Sequence, residues 1–151
     1  MSELEDRLKN DLTTAIKARD KVRTSTLRMV LAAISTEKAA GSTHRDLTDE
    51  EIIKLLTREA KKRREAAQAF EQGGRTDQAE SERAESEILS EYLPKQLTDD
   101  ELAELVTAAI GETGASGPKA MGQVMKVVNP RVAGRAEGSR VAAEVKKQLN
   151  T

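Results

Sequence analysis

Only two aromatic side chains, Phe70 and Tyr92, occur among 151 residues, and this restricts the fold more than any other feature. A core must then be assembled from Leu, Ile, Val, Met and Ala. Such a core suits helices and argues against an all-β fold, which leans on aromatic and β-branched residues. Cysteine is absent, which excludes disulfides, thiolate metal sites and a cysteine nucleophile. The length accommodates one domain or two small ones.

Helix signals recur along the whole chain. Ser2-Glu3-Leu4-Glu5 reads as a capping box, with Leu4, Leu8, Leu12 and Ile16 following at helical spacing. Asp20 is placed to cap a second helix through Leu27, Val30, Leu31 and Ile34, stopped near Gly41. A second box, Thr48-Asp49-Glu50-Glu51, opens a long helix with Ile52, Leu55, Leu56, Ala66 and Phe70, ended by Gly73-Gly74. A fourth helix starts at Thr76, carries Ile88, Leu89 and Tyr92, and is terminated by Pro94.

Leu93-Pro94-Lys95-Gln96-Leu97 reads as a hinge. Thr98-Asp99-Asp100-Glu101 is a third box, opening a helix with Leu102, Leu105, Val106, Ala109 and Ile110. Pro118 suits a first helical position, and Met121, Val124, Met125 and Val128 define a short helix that stops at Asn129-Pro130. The last helix, from Glu137, sets Val141, Val145 and Leu149 on one face. The expectation is an all-α protein, with a four-helix domain over residues 1–93 and a three-helix domain over 94–151. The second is short for an independent core and is expected to lean on the first or to move.

Two charge patterns stand out. At 100° per residue Glu59 and Arg63 fall on the apolar stripe of the third helix, and Glu85, with Glu82 at the edge, on that of the fourth. Arg63 stands ten residues before Gly73 and Glu85 eleven after Gly74, so an antiparallel turn sets them at matching heights. The group reads as a structural ion network or as a polar cleft with a carboxylate pair for acid–base work. Arg58, Lys61, Lys62 and Arg64 on the third helix, accompanied by glutamates, read as a solvated face.

The second pattern is a charge asymmetry. Residues 117–151 hold seven Lys/Arg and two acids, a balance of +5, whereas the remaining 18 basic and 24 acidic residues sum to −6. A basic tail on an acidic body suggests a polyanion partner. Backbone N–H groups at helix starts attract anions, and glycines admit a phosphate closely. Lys119, Lys126, Arg131, Arg135 and Arg140, with Gly122, Gly134 and Gly138, are the candidate phosphate contacts. No aromatic residue lies there to stack on unpaired bases, so a folded RNA read by shape and backbone fits better than a single strand. No glycine stretch has Walker or Rossmann spacing, no metal or other cofactor is expected, and His44 reads as an exposed loop residue. No apolar run approaches a membrane span and Met1-Ser2-Glu3 lacks a signal-peptide pattern, so a cytoplasmic protein without a membrane partner is expected.

Several stretches in this order carry a family resemblance: Thr26-Leu27-Arg28-Met29, Glu59 through Arg63, Gly74-Arg75-Thr76-Asp77, Glu91-Tyr92-Leu93-Pro94-Lys95-Gln96-Leu97, Met121-Gly122-Gln123-Val124-Met125-Lys126 and Gly134-Arg135-Ala136-Glu137-Gly138. Over essentially its whole length the chain resembles the GatB/YqeY family, as a stand-alone YqeY-like protein. It departs from the pattern at Glu137, where Asp is common, and in the more basic Ser139-Arg140-Val141. The resemblance implies a helical bundle followed by a small three-helix domain. A similar domain forms the tail of the B subunit of the glutamine-dependent aminoacyl-tRNA amidotransferase and contacts the body of the tRNA.

Three functions follow. The first is a non-catalytic module that binds tRNA or another structured RNA through its basic C-terminal domain. The second is an amidotransferase-like carbon–nitrogen ligase with glutamine as amido-N donor, or an accessory to one, using Glu59, Arg63 and Glu85. The third is a helical protein–protein adaptor. Amide transfer needs an ammonia-releasing nucleophile and a site that activates the acceptor carboxylate. No such constellation is legible here, so the first reading is preferred.

Overall fold

The computed structural model describes residues 2–150. Among them are seven α-helices and no strand: α1 (Glu3–Lys17), α2 (Lys21–Lys38), α3 (Asp49–Gln72), α4 (Thr76–Ser90), α5 (Asp99–Thr113), α6 (Met121–Val132) and α7 (Gly138–Leu149). A single 3-10 turn, Pro118–Ala120, precedes α6. The protein is all-α. It divides into two compact units, the first ending at Leu93 and the second beginning at Pro94.

In the first unit α1 pairs with α2 and α3 with α4, and α2 packs on α4. Leu8, Leu27, Val30, Ile52, Leu56 and Leu89 are the sealed centre of its core. The α3–α4 seam is lined by small residues, with Ala60, Ala67, Ala79 and Ser86 all buried, and Ser86 Oγ donates to the Ala60 carbonyl at 3.3 Å. Phe70, expected on the core side, is only half-buried. Helices that meet through alanines leave no gap wide enough for a phenyl ring.

The capping signals account for most helix starts. Thr48 and Thr98 both form complete boxes, with Glu51 and Glu101 reaching back to the cap. Ser2 accepts from the Glu5 N–H at 3.0 Å, but Glu5 does not complete a box. Its carboxylate turns inward, only 2% exposed, and accepts from Lys38 Nζ at 2.7 Å, with Lys9 Nζ at 3.3 Å. A buried cation thus takes the carboxylate that sequence spacing assigns to the cap.

The second unit has its own core, built from aliphatic residues of α5, α6 and α7. Val124, Val128 and Val132 face Val141, Val145 and Leu149, and Val106 and Ala109 close the third side. Here α6 differs from expectation, because it runs through Pro130 to Val132. Pro130 forfeits one hydrogen bond, to the Lys126 carbonyl, but sits on the exposed side of the last turn. Burial of Val132 (3% exposed) and the Ala133 N–H bonded to the Asn129 carbonyl hold the turn together. The helix ends instead at Ala133 and Gly134, both in the left-handed region (φ 49° and 80°). Likewise α4 ends at Ser90, before Pro94 is reached.

Candidate functional site

Arg63 points into the α3–α4 seam and is enclosed by three carboxylates. Its guanidinium lies 3.6 Å from Glu59 Oε2, 3.6 Å from Glu82 Oε2 and 3.7 Å from Glu85 Oε2. On its α2 side the same group contacts Met29 Sδ. The four side chains retain between 17% and 26% of their surface, so the site is half-buried. One guanidinium against three carboxylates leaves an excess of two negative charges, which Lys62, 3.5 Å from Glu59, partly offsets. Burial raises the Glu85 pKa and the neighbouring Glu82 adds to the rise, with Arg63 opposing both. Arg63 Nε and Glu82 Oε2 are buried without a hydrogen bond to any described residue, so attraction here is electrostatic rather than directional.

A raised carboxyl beside a second one is what acid–base chemistry would use, but a substrate must also reach it. A groove of about 370 Å³ on the same helix pair is lined by Arg64, Arg83, Ser86, Glu87 and Ser90. None of Glu59, Arg63, Glu82 and Glu85 lines it. Three carboxylates from two helices around one guanidinium have the geometry of a register-fixing network between α3 and α4. Arg58, Lys61, Lys62 and Arg64 are all exposed, and so is His44.

The basic residues of the second unit fall into two groups. Arg131, Arg135 and Arg140 serve the fold. Arg131 pairs with Glu112 of α5. Arg135 caps the carboxyl end of α6, with Nη2 on the Arg131 carbonyl at 2.7 Å and Nε on that of Val132 at 3.1 Å. Arg140 donates to the Leu97 carbonyl at 3.0 Å and to Asp99 at 2.9 Å, fastening α7 to the start of α5. Gly134 has a conformational reason to be glycine, its φ of 80°.

Lys119 and Lys126 form the other group. Both are exposed, and neither makes an ion pair with any described residue. Lys126 lies one helical turn beyond Gly122 on the outer face of α6, opposite Val124 and Val128. A Cβ on Gly122 would meet nothing within 4 Å, and its backbone is ordinary helix, so neither packing nor dihedral angle requires glycine there. Gly138, the first residue of α7, is equally open. Lys146 and Lys147, part of the basic balance of the sequence but not among its candidate contacts, are exposed on α7, whose buried residues are Val141, Val145 and Leu149. The helical period of those three apolar residues was the signal available. On α5, by contrast, Asp100, Glu101, Glu104 and Glu112 are all exposed. The unit thus has an acidic helix and a basic helix pair.

These features define an all-helical protein of two units whose second unit carries a lysine-bearing, glycine-opened surface. The chain belongs to the YqeY family, whose model, described as Yqey-like protein, matches residues 5–149. It is similar to proteins named "Altered inheritance of mitochondria protein 41, mitochondrial" from three organisms. The Clavispora lusitaniae protein is 31% identical over 129 residues, covering 83% of this chain and 74% of that protein. The Pyrenophora tritici-repentis protein is 28% identical, covering 91% and 76%. The Lachancea thermotolerans protein is 27% identical, covering 95% and 80%. The cytoplasmic location expected from the sequence is corrected by these relatives, all three of which are named as mitochondrial. A leaderless-looking start is weak ground for a compartment beside relatives matched over most of their length.

Proposed function

We propose that this protein is a non-catalytic module that holds tRNA, or another structured RNA, by its phosphates. The contact surface is drawn from the 3-10 turn, α6 and α7, with Lys119 and Lys126 as principal contacts and Lys146 and Lys147 as further ones. The observation that carries this reading is Gly122. A solvent-facing glycine in a helix lowers stability relative to alanine, by up to about 1 kcal/mol in the interior and less in the first turn, where Gly122 stands. Here that loss brings no packing or dihedral benefit, while it bares backbone between two unpaired lysines. Close approach of a phosphate backbone makes use of such a surface.

Acidic α5 makes the recognition one-sided, since a polyanion is repelled from Asp100, Glu101 and Glu104. Resemblance to the tail of the amidotransferase B subunit points to tRNA as the first RNA to try. Relatives named as mitochondrial make mitochondrial tRNA the first to test. The test is whether tRNA co-purifies with the intact protein and is released by raising salt. Protein recovered free of nucleic acid, with no tRNA binding at low salt, removes the reading.

A further inference from the structure

Ile16 and Val22 are the large apolar side chains left exposed among the described residues, each at 47%, and both flank one turn. That turn, Ala18-Arg19-Asp20, joins α1 to α2. Its backbone forms a complete Schellman closure: the Arg19 N–H bonds to the Ile16 carbonyl at 3.1 Å and the Asp20 N–H to that of Ala15 at 3.0 Å. Such a closure puts Arg19 in the left-handed region, at φ 59°, a place that glycine fills without strain.

An exposed arginine at a glycine position is informative, because its charge is displayed against a conformational preference. Lys17 and Lys21 stand on either side of it. All three are exposed and form no ion pair with any described residue. Asp20, the one acid in the turn, is taken up by the cap of α2 (Arg23 N–H at 3.0 Å) and by the Arg23 side chain at 3.6 Å. Seven consecutive residues therefore present two aliphatic side chains and three unpartnered cations.

The geometry points to this turn as a peripheral docking site for an anionic lipid surface. Aliphatic side chains enter the headgroup boundary while flanking cations meet phosphates, and each Lys or Arg near such a surface adds to the attraction. Folded RNA would satisfy the cations but offers nothing to Ile16 and Val22, and neither can stack on a base as an aromatic does. The absence of a spanning helix among the described residues is no obstacle, because interfacial contact needs none. The sequence expectation of no membrane partner weighed spanning segments and a signal peptide, not interfacial contact. Insertion of two aliphatic residues makes a contact that is reversible. It is independent of the RNA reading, which uses the other unit.

The experiment is co-sedimentation of the full-length protein with vesicles of phosphatidylcholine alone and with one-third phosphatidylglycerol. Binding is expected to the anionic vesicles only and to fade as salt rises. Lys17→Gln/Arg19→Gly/Lys21→Gln should lower partitioning by about tenfold or more, and Ile16→Ser/Val22→Ser by several-fold, with circular-dichroism melts showing both variants folded. Absence of binding to anionic vesicles, equal binding to neutral ones, or unchanged partitioning in both variants would overturn the proposal. So would loss of tRNA binding in the triple variant with vesicle binding intact, which would make the turn an RNA surface.

Discussion

Arg63 on α3 and Glu85 on α4 meet at 3.7 Å across the small-residue seam of the α3–α4 hairpin. Glu59 and Glu82 share the same guanidinium, each at 3.6 Å. Removing Arg63 would leave three half-buried carboxylates facing one another. Arg63→Ala should therefore destabilise the protein by about 2–3 kcal/mol, between the limits for exposed and buried pairs. Glu85→Gln, which removes surplus charge, should be neutral or stabilising. Urea denaturation of both variants checks this, and an Arg63→Ala loss below about 0.5 kcal/mol would deny the network a structural role.

Acid sensitivity should come from other carboxylates. Burial pushes Glu5 up, but hydrogen bonds from Lys38 and Lys9 outweigh it and hold the carboxyl below the ordinary glutamate range. Glu51 is held at about 2 by Arg45. A lowered folded-state pKa means stability that is fully present above the ordinary carboxylate range and is lost as pH falls through the folded value. Glu85, pushed up, has the opposite sign: its contribution declines as pH rises from its unfolded value through its higher folded one. Urea midpoints of wild type should fall steadily below about pH 4.5, and Glu5→Gln should flatten that limb. An unchanged limb in Glu5→Gln would assign the acid loss elsewhere.

The hairpin register was legible because it needs only counting: similar spacers on either side of Gly73-Gly74 set Arg63 level with Glu85. Helix starts at Asp20, Thr48 and Thr98 were legible for the same reason, since a cap is a local event. What failed was decided at long range. Glu5 looked like a capping partner until Lys38, 33 residues away, claimed it. Pro130 looked like a stop until burial of Val132 carried the helix past it. Nor does the sequence show the hydrogen-bond partners of Arg131, Arg135 and Arg140, which are Glu112, two α6 carbonyls, and Leu97 with Asp99. A sequence shows how many cations a surface holds, not which groups they meet in the fold.

Two glycines of the second unit should respond oppositely to alanine. Gly122→Ala adds a methyl in open space in the first turn of α6 and should raise stability by about 0.5 kcal/mol. Gly134→Ala forces a side chain to φ 80° and should lower it by about 1–2 kcal/mol. Thermal melts decide. A destabilised Gly122→Ala would show that glycine serves the fold there, and would take away the main support for a ligand at that face.

Arg19→Gly should stabilise the isolated protein by about 1 kcal/mol, since glycine fills the left-handed position without strain. Denaturation midpoints measure it. A loss of stability would mean that Arg19 has a structural partner in solution.

The most direct test of the RNA reading is tRNA affinity across a salt series for wild type, Lys119→Ala/Lys126→Ala and Arg131→Ala. Each phosphate contact removed should reduce the slope of log affinity against log salt by about 0.7–0.9. The double variant should thus lose about 1.4–1.8 in slope and weaken different RNA sequences nearly equally. Arg131→Ala, whose charge is already paired with Glu112, should change slope far less. Wild-type affinity and slope retained in the lysine double variant, with Arg131→Ala lowering both, would contradict this assignment of the α6 face.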